Sequence, residues 1–105
     1  MDTFPDIINR SYCTEKIEEH QNILLKKTRE LFTQVIRDTI NDYQKIISLQ
    51  FDNKLSKKNR IIIMNELLKR FGEISVTTIT NIDIVINYSS NIEEYDMVKR
   101  ITIRI

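Results

Sequence analysis

Residues 14–50 read TEKIEEHQNILLKKTRELFTQVIRDTINDYQKIISLQ, and between Pro5 and Gly72 the chain has neither glycine nor proline to force a break. Apolar residues come in adjacent pairs: Leu24/Leu25, Leu31/Phe32, Val35/Ile36, then Ile40, Tyr43 and Ile46/Ile47. Leu24, Val35 and Ile46 repeat every eleven residues, as do Leu25, Ile36 and Ile47. That period, about 3.67 residues per turn, gives a nearly straight apolar stripe. A seven-residue repeat through Ile17, Leu24 and Leu31 instead runs into Asp38, which disfavours an ordinary coiled coil. The stretch therefore reads as one amphipathic helix from Thr14 to Gln50, with Thr14 as N-cap. Glu15, Glu18 and Glu19 at its start and Lys45 near its end suit the helix dipole.

Such a helix spans about 55 Å at 1.5 Å per residue. A compact chain of 105 residues is only about 33 Å across. An unbroken helix overhangs its own domain, and its stripe then calls for cover by a partner chain, most simply in a two-fold homodimer. The expected self-association stripe is Leu24, Leu31, Phe32, Val35, Ile36 and Tyr43. The alternative is a bend near Asp38 to Asn41, where β-branched and polar residues weaken the helix, allowing a monomer.

Outward from this stretch, residues 1–13 read as an N-terminal tail, with Phe4, Ile7, Ile8 and Tyr12 available to dock part of it. Residues 51–56 form a connector. A second helix follows from Ser56 to Phe71, with Gly72 at the C′ position after Lys69 and Arg70. Beyond Gly72 the apolar period falls to two: Ile74, Val76 and Thr78, then Ile82, Ile84, Ile86 and Tyr88, then Ile101, Ile103 and Ile105. A two-residue turn at Thr80-Asn81 would set Ile74 opposite Asn87 and split the apolar set. An odd loop of about three residues keeps Ile74 and Val76 on the face of Ile84 and Ile86, and is the one expected. Residues 89–96 make a longer, acidic connection. The expected fold is a single α+β domain over residues 14–105, with element order α-α-β-β-β: a long helix, a shorter one, and a three-stranded antiparallel meander packed on them.

Composition narrows function more than it names it. Net charge is +1, with 30% charged and 41% hydrophobic residues, which gives a packed domain no overall pull toward nucleic acid or anionic membrane. The chain lacks alanine and tryptophan and is rich in isoleucine, asparagine and lysine, a virus-like composition that points to an AT-rich genome. A lone cysteine, Cys13, fits the cytoplasm or another reducing compartment. Neither a signal peptide nor a membrane span is expected.

His20 is the only histidine, so histidine and cysteine cannot assemble a zinc site within one chain. Glu93, Glu94 and Asp96 crowd one loop without the spaced oxygens of a calcium site, and Asp83 has no Glu-x-Lys after it. The single glycine rules out a glycine-rich phosphate loop. No enzyme activity, cofactor, metal or small-molecule substrate is expected. One charge concentration stands out: Lys54, Lys57, Lys58 and Arg60, in residues 51–70 that carry six basic and two acidic side chains. They gather where the second helix begins, an end that favours anions, so phosphate contact would account for their position. The reading is a non-enzymatic, self-associating module that acts on protein partners. The alternative is a nucleic-acid-binding accessory protein using the basic turn.

Overall fold

The computed structural model describes residues 3–105, so Met1 and Asp2 at the start of the expected tail lie outside the described residues. The first helix, α1, spans Arg10–Asn41. It begins before Thr14 because Asn9 supplies the cap, its side-chain oxygen accepting from the Tyr12 N–H at 2.9 Å. Phe4, Ile7 and Ile8 ahead of it are exposed rather than docked.

The end of α1 corrects the helix expected to reach Gln50. The chain closes after Asn41 through Tyr43, whose φ of 60° is left-handed, and the Tyr43 and Gln44 N–H groups return to the carbonyls of Ile40 and Thr39. The break lies just past the site considered for a bend, and the chain leaves the helix altogether. Residues Ile46–Gln50 then form a strand, β1. Ile47 and Leu49 point inward while Ile46, Ser48 and Gln50 point out. Ile46 and Ile47 satisfy the eleven-residue repeat and a two-residue alternation equally well; pairing with a distant strand decides between them.

Helix α2, Lys57–Phe71, matches expectation: the Ser56 hydroxyl accepts from the Asn59 N–H, and Gly72 closes the helix at φ 79°. Strands β2 (Ile74–Thr78) and β3 (Asp83–Ile86) form the hairpin, with Ile74 opposite Ile86 and Val76 opposite Ile84. Its loop, residues 79–81, has the expected odd length, with Asn81 in the left-handed region at φ 65°. A 3-10 turn at Ile92–Glu94 buries Ile92 and leads into β4, Val98–Arg104.

The sheet has four antiparallel strands in the order β1-β4-β2-β3, so the expected three-stranded meander is corrected. Strand β4 lies between β1 and β2, and the helices cover one face. A bulge at Lys99 lets Val98 and Ile101, three residues apart, both face the core. The core joins Ile47, Leu49, Ile74, Val76, Ile86, Ile101 and Ile103 of the sheet to Ile63, Met64, Leu67 and Leu68 of α2. From α1 only Phe32 is a buried apolar residue, its ring 5.4 Å from that of Phe51. Helix α1 lies against β1, and α2 against β2 and β4.

Candidate interaction surfaces

At 1.5 Å per residue α1 is about 48 Å long, and the molecule measures 61 × 31 × 23 Å. Its radius of gyration is 17.0 Å, against about 13 Å for a compact chain of this length. The excess is the first half of α1, where Arg10 to His20 are all exposed except the half-buried Tyr12. The overhang survives although the helix is shorter than expected, because it starts earlier.

The last anchor before the overhang is Gln21, a residue that apolar periodicity passes over. Its side-chain N–H donates to the Lys54 carbonyl at 2.8 Å, and its side-chain oxygen accepts from the Ser56 N–H at 2.8 Å. The Asn59 side chain donates to the Gln21 carbonyl at 3.0 Å, so α1 is tied to the capped start of α2. The sequence signal was its place on the core face, four positions before Leu25 and seven before Thr28.

The six residues expected to form a self-association stripe divide four ways. Phe32 enters the protein's own core. Ile36 lines a groove between α1 and α2, and Tyr43 stands beyond the helix end, 93% exposed. At 100° per residue, Leu24, Leu31 and Val35 share one flank with Ile17, opposite the α2 groove. Leu24 and Val35 are half-buried, whereas Leu31 is 57% and Ile17 62% exposed. Since α1 covers the edge strand β1, this flank has α2 on its far side and no neighbour beyond it among the described residues.

The groove holds about 360 Å³ and is floored by Phe32, Ile36, Ile63, Leu67 and Phe71, with Arg29, Arg37 and Arg70 at its rim. Across it Arg29 grips Glu66 with two hydrogen bonds, one of them 3.1 Å from Nε. Arg29 thereby holds the Glu66 carboxyl below the ordinary glutamate range, against a smaller opposing effect of burial.

The basic turn also divides. Arg60 is 2% exposed and faces inward. Its Nε donates to Leu55 O at 2.8 Å, Nη1 to Val98 O at 2.6 Å, and Nη2 to Asp52 O at 2.9 Å and Asn53 O at 3.2 Å. The guanidinium also lies 5.5 Å from the Phe51 ring. Burial lowers its pKa, with Asp52 offsetting part of the effect. Arg60 is a clasp that holds the connector to β4, so it does not join the lysines at the surface. Helical spacing carried that signal: Arg60 precedes Met64 and Leu67 on the buried face. Lys54, Lys57 and Lys58 remain exposed, with Lys57 Nζ 3.3 Å from the Glu93 carbonyl.

The uncovered sheet face is mostly polar, with Ile46 and Val85 exposed on it. Gln50, Arg100, Thr77 and Asp83 form one cross-strand row, in which Thr77 donates to Asp83 at 2.6 Å and Arg100 to Thr77 at 3.3 Å. Among the described residues no three His, Cys, Asp or Glu side chains gather as metal ligands, and no helix is long and apolar enough to cross a membrane. No known family, curated protein or solved structure matches this chain.

Proposed function

We propose that this protein is a non-enzymatic interaction module that works as a homodimer, joined along the α1 flank of Leu24, Leu31 and Val35. The observation that carries this reading is Leu31, a large apolar side chain left exposed between the half-buried Leu24 and Val35 on the flank of α1 that faces away from α2. Exposed leucines are ordinary singly. Here Ile17, Leu24 and Leu31 follow one another at seven-residue spacing, with Val35 one turn on, which makes a stripe suited to a second helix. Light scattering at micromolar concentration tests it: the expected mass is twice the 12.6 kDa of one chain. Leu31→Glu should return the mass to a single chain with helix content intact, since it places the charge in the joint and not in the core. A wild-type protein that stays single at this concentration overturns the proposal.

A second reading keeps the nucleic-acid alternative and rests on Lys54, Lys57 and Lys58, exposed together beside the N-terminus of α2. It requires weak, sequence-independent binding that falls steeply with salt. Fluorescence anisotropy with labelled oligonucleotides should lose that signal in Lys57→Glu/Lys58→Glu; no binding at low salt removes the reading.

A further inference from the structure

The two edges of the sheet are built differently. The outer strand β3 has four residues and is guarded by Asp83, whose carboxylate is held on the open face by Thr77. The outer strand β1, Ile46–Gln50, contains no charge, proline or bulge, the devices that keep an edge from pairing with another chain.

Hydrogen bonds at its two ends fix which β1 groups are free. The Phe51 N–H donates to Lys99 O at 2.9 Å, and the Ile105 N–H donates to Lys45 O at 2.8 Å. In an antiparallel ladder the direction alternates, so Lys45, Ile47, Leu49 and Phe51 bond to β4. The N–H and C=O groups of Ile46, Ser48 and Gln50 therefore point outward, and none has a partner among the described residues. These three residues are symmetric about Ser48. A second β1 turned about a two-fold axis through Ser48 sets Ser48 against Ser48, and Ile46 against Gln50, and all six outward groups find partners.

We infer that β1 is the seam of a homodimer, pairing antiparallel with the β1 of a second copy to make one eight-stranded sheet. This deepens the proposal of self-association and rests on it. The occupant is a second copy because the free edge of β1 and the outer flank of α1 lie on the same side of the molecule, and one two-fold axis through Ser48 covers both at once. The helix layer agrees. The axis stands perpendicular to the sheet and keeps both α1 helices on the same face. Helix α1 covers β1, and the four residues between them hold the C-terminal end of α1 beside the start of β1. Strands lie about 4.8 Å apart and helices about 8–10 Å apart, so the two α1 helices pack above the seam with each axis set about half a strand spacing inward of its β1. Leu31 and Val35 then meet their copies above the seam.

Ser48→Pro is the decisive variant, because the ring removes an outward N–H that β4 does not use. Its mass should fall to one chain while its circular dichroism spectrum stays that of the wild type. In the wild-type dimer the amides of Ile46, Ser48 and Gln50 should exchange with deuterium at least tenfold more slowly than those of Asp83 and Val85 on the other edge. As a gain of signal independent of the proline, Cys13→Ser/Ser48→Cys should form an interchain disulfide on mild oxidation, since the symmetric pair places its Cα atoms about 5.5 Å apart. A wild-type dimer that exchanges equally fast at both edges, survives Ser48→Pro and does not crosslink at position 48 overturns the seam and leaves the α1 flank as the joint. A wild-type monomer overturns both. Slow exchange at the three amides only when an extended peptide is added to a monomer overturns the second copy as occupant.

Discussion

The two halves of α1 form one continuous helix and are opposite in circumstance. From Leu24 onward the helix buries Thr28 and Phe32, and lays Leu24, Leu25, Val35 and Ile36 against the core. From Arg10 to Ile23 no residue is fully buried, although Ile17 and Ile23 are as apolar as their counterparts further on. An isolated helix of this first half's length is marginal in water, so its order is propagated from the packed half. The difference teaches that an apolar stripe reports where a helix can be covered, and that the tertiary fold decides where it is.

That contrast yields a graded series of effects. Phe32→Ala, at the centre of the packed half, should cost about 3–5 kcal/mol by emptying the space against Phe51, read as a lowered denaturant midpoint. Gln21→Ala sits where the halves meet; it strips partners from the Lys54 carbonyl and the Ser56 N–H, leaves the Asn59 side chain its bond to the residue 21 backbone carbonyl, and should cost about 1–3 kcal/mol. Equal losses from both variants would mean that the packed region extends further toward the N-terminus than the contacts show. Ile17→Glu should change monomer stability by only about 0.5 kcal/mol, because Ile17 touches no core, and a larger loss in a dimer-disrupted background would break the comparison.

A comparably small effect is acid sensitivity at the clasp that ties the packed half to α2. Hydrogen bonding to Arg29 lowers the Glu66 pKa, so the carboxylate contributes stability above the ordinary glutamate value of about 4.3, and this is lost as pH falls through the lower folded value. For so exposed a pair the contribution is about 1 kcal/mol or less. The stability gap between wild type and Glu66→Gln should therefore be present at pH 6 and close toward pH 3.

The local features of the fold were legible in the sequence. Gly72 marked the end of α2, and the parity of Ile74 and Val76 against Ile84 and Ile86 fixed the hairpin loop as odd. Strand β1 was not legible, because Ile46 and Ile47 continue the helical repeat and its partner residues on β4 lie fifty or more residues away. The candidate stripe mixed core with surface for the same reason: spacing along α1 cannot say which flank α2 will cover. Arg60 belongs to a charge cluster by its neighbours in sequence, while its spacing from Met64 and Leu67 places it inward.

The placement of β4 has a consequence for the order in which the protein takes shape. It is the central connection of the sheet, yet it follows every other strand in the chain. During synthesis β1 appears first and waits with both of its edges empty, and the β2–β3 hairpin forms beside nothing that can hold it. At about 5–20 residues per second, the fifty or so residues between β1 and β4 take on the order of 3–10 s to be made. For that interval Ile47 and Leu49 lie on a strand with no sheet to join, and Arg60 has no Val98 carbonyl to grip. The nascent chain is then most open to pairing with the wrong neighbour, and insertion of β4 ends that exposure by closing the sheet in one step.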